Sequence, residues 1–247
     1  MFGIIGGSGL VKLAALDAPR RQVMRTPYGE PSGALTFGRL AGRDIVFVAR
    51  HGYGHTIAPH EINYRANIWA LKELGVEGIF ALATVGSIRA DLVPRSLVVP
   101  HQVIDYTHSR PSTFFESGIN AITHIDFTQP YTERLRQRLL QAAASAGEAV
   151  FDGAVYACTQ GPRLETAAEV DRLERDGADI IGMTGMPEAA LAREAQLEYG
   201  SLSVVVNHAA GRGDSRTRVE LTQLSEVLQQ TIVRAVRVLE YAVRGAG

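Results

Sequence analysis

The sequence predicts an α/β protein, a single domain over residues 1–247 built as a mixed β-sheet flanked by helices. Three observations carry that reading. Short β-rich runs alternate with stretches of helical period, and residues 201–207 form an uninterrupted apolar run of strand length. The stretch from about 220 to 243 aligns Leu221, Leu224, Leu228, Ile232, Ala235, Val236, Leu239 and Val243 on one helical stripe. No linker, repeat or low-complexity tract interrupts the pattern.

Taken in order, residues 2–6 read as a short buried strand that runs into the turn Gly6-Gly7-Ser8-Gly9. Residues 34–40 and 44–50 are strand-like runs around Ala41-Gly42-Arg43, a hairpin pattern. The stretch 51–60, rich in Gly and His and holding Pro59, is a loop. From Glu61 to Leu74 the apolar positions Ile62, Ala66, Ile68, Ala70, Leu71 and Leu74 favour a helix, closed by Gly75. Residues 77–84 follow as a strand. Residues 97–104 are β-rich but contain Pro100, which marks an edge or a bend. Residues 107–129 lack periodicity, and irregular segments of that length are often binding loops. Helices at 130–146, 165–176 and 187–199 then alternate with strands at 149–158, 179–182 and 201–207.

The bulk properties exclude several function classes. With 247 residues and 46% hydrophobic content the chain can bury a large core. Its 25 basic and 26 acidic residues leave a net charge of −1, which gives no electrostatic attraction to nucleic acid or an anionic membrane. The lone Cys158 permits neither an intrachain disulfide nor a thiolate metal cluster. No metal-binding spacing such as H-E-x-x-H occurs, so no metal and no cofactor are expected. Met1 runs straight into the first strand with no charged-then-apolar leader, and no apolar stretch approaches the ~18 residues that span a bilayer. A soluble, cytoplasmic protein is expected.

Several residues carry recognisable chemistry. The turn at 6–9 offers closely spaced backbone N–H groups and the Ser8 hydroxyl, which suits an anion. Taken alone, a Gly-rich turn after a strand is more often only a turn, and its spacing is not that of a dinucleotide or nucleotide-triphosphate loop. Arg50 and His51 close a strand, where a guanidinium and an imidazole N–H could grip a tetrahedral anion; the alternative is a surface Arg and a loop His. Glu165 and Asn207 make the most informative pair. A 6-oxopurine presents an N–H at ring position 1 for a carboxylate, and its O6 and N7 call for a donor that an amide supplies. Adenine offers a lone pair at position 1, and a buried acceptor facing it costs about 1–3 kcal/mol.

At these residues the chain resembles the trimeric purine nucleoside and methylthioadenosine phosphorylase family along nearly its whole length. The matching segments are Gly-Ile-Ile-Gly-Gly-Ser-Gly-Leu at 3–10, Ala-Arg-His-Gly at 49–52, and His-Thr-Ile-Ala-Pro at 55–59. Beyond these lie Asn-Tyr-Arg-Ala-Asn-Ile-Trp-Ala-Leu-Lys-Glu-Leu-Gly at 63–75, Gly-Pro-Arg at 161–163 and Met-Thr-Gly-Met-Pro-Glu at 183–188. Most segments look like the methylthioadenosine branch. That branch has an Asp-x-Asp pair where this chain reads Asn207-His208-Ala209, and a Ser in place of Glu165. Both departures move toward the 6-oxopurine pattern, so the combination resembles the methylthioinosine-cleaving members.

The resemblance implies a nucleoside phosphorylase-like fold, a homotrimer, a small-molecule nucleoside substrate and inorganic phosphate as co-substrate. It assigns phosphate to Ser8, Arg50, His51, Thr84 and Thr184, with Ala83 contributing backbone. The family usually has Ala at the position of Thr84. Met183 is implied beneath the sugar. Glu165 and Asn207 act on the base, with Asn207 stabilising it as it leaves; His208 and Ala209 adjoin them. His124 is implied to reach a neighbouring subunit's site near the 5′ group. Val219, Leu221 and Leu224 are the candidates for an apolar 5′ wall, each also readable as part of the final helix's core stripe. Three rival readings stay within the enzyme class: a general inosine and guanosine phosphorylase, a methylthioadenosine phosphorylase, and a nucleosidase that uses water, which the phosphate set disfavours. A fourth is a catalytically silent nucleoside-binding protein on the same fold.

Overall fold

The structure, a computed structural model, describes residues 1–7, 16–116 and 123–245, with the side chain of Gln223 left aside. Ser8 lies outside the described residues. Among those described, eleven strands form one sheet. Its spine is β1 (Phe2–Gly6), β4 (Arg43–Ala49) and β5 (Ile79–Ser87), all parallel. β2 (Asp17–Gln22) and β3 (Leu35–Leu40) extend one edge as antiparallel neighbours beyond β4. On the other side β5 pairs in parallel with β11 (Tyr199–His208) and, at its last residues, antiparallel with β10 (Ile180–Gly182). β9 (Val155–Cys158) and β7 (Gln102–Asp105) continue from β10, while β6 (Leu97–Val99) and β8 (Val150–Asp152) continue from β11. The sheet is therefore mixed and branches at β5.

Alternation along the strands sorts side chains into two cores. Ile5, Val46 and Val48 face one layer, where α1 (Tyr64–Glu73) packs with α4 (Glu188–Glu194). Phe2, Ile4, Phe47, Phe80, Leu202 and Val204 face the other, where α2 (Glu133–Ser145) packs with α5 (Leu221–Arg244). The α5 stripe is buried most deeply at Ala235, Val238, Leu239, Ala242 and Val243. No helix among the described residues is long and apolar enough to cross a membrane.

Local chemistry sets the boundaries. Asn63 caps α1 by accepting from the Ala66 N–H, so the helix starts at Tyr64 rather than Glu61. α3 (Ala167–Arg175) opens with a reciprocal capping box between Thr166 and Glu169, which makes Thr166 a cap and leaves Glu165 outside the helix. The β-rich run at 97–104 breaks at Pro100 into β6 and β7, and the run at 149–158 breaks at Gly153, whose φ is +88°. The helix expected to 199 ends at Glu194, because Gln196 takes φ +59° and β11 has begun by Tyr199. β2 was not expected: it is exposed throughout and contains Pro19, so no apolar alternation announces it.

Candidate active site

A cleft of about 470 Å³ opens where β1, β4, β5, β10 and β11 end together. It is lined by Gly7, Arg50, His51, Ala83, Thr84, Met183, Thr184, Val206, Asn207 and Ala209 from these strand ends, by Glu165 from the turn before α3, and by Val219 and Leu224 near the start of α5. Residues from seven separate stretches of sequence thus converge on one cavity. The loop between β4 and α1 adds His55 and Thr56 to Pro59.

The cleft holds one buried cation. Arg50 is 1% exposed, and its Nε and Nη2 donate to the two carboxylate oxygens of Glu188, each at 2.7 Å. Its Nη1 donates to the Leu82 carbonyl at 3.0 Å. Burial by itself would lower the guanidinium's pKa, but the charge and hydrogen bonds of Glu188 outweigh it and raise the value. Tyr199 donates to the same carboxylate at 2.7 Å, so Glu188 is held from two sides. Gly7 lies against this cation: a Cβ there would fall 3.1 Å from Arg50 Nη1.

His51 differs from its sequence expectation. Its Nδ1 is 2.8 Å from the Ile57 carbonyl, which can only accept, so the ring N–H is spent there. Burial, with the neighbouring Arg50 and His55, lowers its pKa from the ordinary 6.5 to about 4 despite the Ile57 bond. At neutral pH the ring is uncharged and Nε2 carries a lone pair, which suits a protonated anion oxygen rather than a bare one. His55 packs on it at 4.7 Å between ring centroids.

Glu165 and Asn207 line the same cavity. Thr159, just after β9, donates its hydroxyl to Glu165 Oε1 at 2.6 Å. Asn207 owes its place to a bulge: Val205 pairs with Val85 and Asn207 with Gly86, leaving Val206 as an extra residue. The bulge lets Val206 and Asn207 both face the cleft despite being consecutive. Asn207 Nδ2 donates to the His208 carbonyl at 2.6 Å, which leaves one amide N–H for a ligand rather than two. Met183 lies over Gly161, where a Cβ would come within 2.5 Å of its sulfur.

Two expected contacts are corrected. His208 does not line the cleft; its ring turns toward the loop at 213–214, where Nδ1 lies 3.4 Å from the Asp214 N–H and against Gly213. With Asn207 facing the cavity, alternation sends its neighbour elsewhere. Leu221 is 64% exposed at the first position of α5 and does not line the cleft, whereas Val219 and Leu224 do. His124 is exposed and does not line the cleft of its own chain. Two residues given no role from sequence hold the machinery in place, Glu188 behind Arg50 and Thr159 behind Glu165. Glu188 left a trace, an acid opening a helix whose next four residues, Ala189 to Ala192, are apolar; Thr159 left none. Among the described residues, no group of three His, Cys, Asp or Glu side chains could hold a metal ion.

Comparison with known proteins decides the lineage. Residues 1–244 match the family model described as "Phosphorylase superfamily". The chain belongs to this superfamily. A "Probable S-methyl-5'-thioinosine phosphorylase" of Pseudomonas syringae pv. tomato is 52% identical over 229 residues, covering 93% of this chain and 92% of that protein. The "6-oxopurine nucleoside phosphorylase" of Pyrococcus furiosus is 42% identical, covering 95% of this chain and 90% of the relative. Among solved structures, methylthioadenosine phosphorylase from Schistosoma mansoni in complex with adenine superposes with a TM-score of 0.93 at 34% identity, covering 98% of this chain and 90% of that one. This phosphorylase thus shares its architecture with an enzyme solved in complex with adenine, while its own cleft is lined by Glu165 and Asn207.

Proposed function

We propose that the chain catalyses reversible phosphorolysis of S-methyl-5′-thioinosine, giving hypoxanthine and 5-methylthioribose 1-phosphate. The observation that carries this is one cavity lined by Glu165 and Asn207 together with the apolar side chains Val219 and Leu224. The first pair suits a 6-oxopurine, and the second suits a methylthio group, whose sulfur packs well on aliphatic carbon.

In this reading phosphate lies beside Arg50, His51, Thr84 and Thr184, with Ala83 contributing backbone, and Ser8 supplies a further hydroxyl. Met183 supports the sugar. The glycosidic bond loosens first, leaving oxocarbenium character on the ribose that the phosphate anion stabilises from the opposite face. Glu165 accepts from N1–H of the base. The remaining Asn207 N–H donates to N7, the atom that gains negative charge as the bond breaks. An amide cannot give up a proton as a carboxylic acid does, so the base leaves as a stabilised anion or takes its proton from water. The chain assembles as a homotrimer, with His124 approaching a neighbouring copy's 5′ pocket.

A second reading, a general 6-oxopurine nucleoside phosphorylase, is favoured by the same Glu165 and Asn207, which serve inosine equally well. The two part at the 5′ position. The test is phosphate-dependent turnover of methylthioinosine, inosine and methylthioadenosine by the purified protein. Methylthioinosine is expected to have the highest kcat/KM. A preference for inosine would establish the second reading, and a comparable rate on methylthioadenosine would mean that Glu165 and Asn207 do not read the base. Light scattering gives the assembly, expected at three copies; a monomer would remove the role of His124.

A further inference from the structure

The segment after β7 places Arg110 in the protein interior, 7% exposed, with no ion-pair partner among the described residues. Its donors go instead to neutral oxygens. Nη1 reaches the Met183 and Met186 carbonyls at 2.9 and 2.7 Å and the Tyr64 hydroxyl at 3.2 Å. Nη2 reaches the Thr159 and Gln160 carbonyls at 3.3 and 2.8 Å, and Nε the Gln160 side chain at 3.2 Å. A buried cation that spends itself on carbonyls gains nothing from a counter-charge, so its return is geometric. It ties the chain leaving β9 to the chain leaving β10, the two segments that carry Thr159 and Met183.

Thr159 is held on its other sides as well. Its N–H donates to the Gly182 carbonyl at 2.8 Å, and its hydroxyl donates to Glu165 Oε1 at 2.6 Å. The hydroxyl fixes one carboxylate oxygen and leaves Oε2 for a ligand. A Glu side chain has three rotatable bonds, and an unrestrained carboxylate could swing away from an adenine lone pair at little cost. Discrimination against adenine requires that it stay.

We infer that Thr159 is a positioning residue for base choice, holding Glu165 in the orientation that accepts N1–H, and that Arg110 anchors Thr159. This rests on the reading of Glu165 as the acceptor for the base. Thr159 touches no reacting atom; it acts through Glu165.

The experiment compares kcat/KM on methylthioinosine and methylthioadenosine for wild type, T159V, T159S, R110K and E165A. The expected result is that T159V lowers the methylthioinosine-to-methylthioadenosine ratio about tenfold or more, the size of one lost hydrogen bond to a charged group, while T159S stays within about twofold of wild type. R110K moves the ratio the same way, with KM for phosphate unchanged. Should T159V not fold, T159C removes the strong donor at similar volume and is read identically. If T159V or T159C slows both substrates alike, or leaves the ratio untouched while E165A changes it, Thr159 only supports the fold and the inference is overturned. If E165A leaves the ratio unchanged, the base-reading role of Glu165 falls and the inference falls with it.

Discussion

Arg50 and Glu188 face each other through two parallel 2.7 Å hydrogen bonds, and neither side chain is more than 1% exposed. The pair joins the end of β4 to the first turn of α4, residues 138 apart in sequence. The geometry leaves a guanidinium N–H unspent while holding its plane rigid, and under the proposed function this preorganises a donor for phosphate without a rearrangement on binding. Removing one partner of such a pair strands the other charge in the interior.

Glu188→Gln is therefore expected to cost about 3–5 kcal/mol of stability, since the amide cannot neutralise Arg50. Urea unfolding measures this. KM for phosphate should rise more than KM for the nucleoside, because the plane of Arg50 loosens. Equal rises in both would mean that Arg50 does not face the anion.

The low pKa of His51 gives a pH dependence with a definite sign. The unfolded chain takes up a proton near 6.5, whereas the folded chain resists until about 4. Between those values the unfolded state binds more protons, so stability falls as pH drops from 6.5 toward 4 and this contribution levels off below. His51→Asn should flatten the wild-type dependence of the urea midpoint within that window. An unchanged slope would show that other groups, not His51, carry the acid sensitivity.

Gly161 has φ +60°, and a Cβ there would fall 2.5 Å from the Met183 sulfur. Gly161→Ala is expected to strain the backbone and push Met183 out of the place proposed for it under the sugar. The predicted signature is a fall in kcat of about tenfold or more, from misplacement rather than from a lost chemical group. A crystal structure of the variant with Met183 displaced, together with full activity, would remove Met183 from the sugar site.

The fold was legible where burial imposes a pattern. β1, β4, β5 and β11 are apolar runs, and the α5 stripe is periodic because it packs along the sheet. β2 was not legible, since an exposed edge strand is under no such demand. At the site, Arg50 and Asn207 could be singled out in sequence because strand ends are where a parallel sheet presents groups to a ligand, whereas Met183 and Thr184 were singled out only through the family resemblance. Orientation could not. His208 follows Asn207 and was expected in the cavity, but a bulge one residue earlier decides which of the two faces in. The supporting residues were hidden for another reason: Thr159 and Glu188 act through neighbours distant in sequence, and spacing carries no record of a contact made by folding.

The 5′ wall gives the most direct test of substrate class. Val219 and Leu224 line the cleft, while Leu221, between them in sequence, is 64% exposed. Leu224→His would replace an aliphatic contact by a group able to hydrogen-bond a ribose 5′-hydroxyl, at the cost of apolar surface for a methylthio group. Filling or emptying a hydrophobic pocket by a group of this size is worth about 1–3 kcal/mol, so the ratio of kcat/KM on methylthioinosine to that on inosine should fall about tenfold or more. Leu221→His, the same chemical change on the solvent side, should leave the ratio unchanged. The contrast isolates position from chemistry. If both variants shift the ratio alike, the start of α5 repacks as a unit and the wall is not where these side chains place it. If neither does, the 5′ group is read elsewhere, and the argument for a methylthio substrate loses its apolar half while the purine half stands.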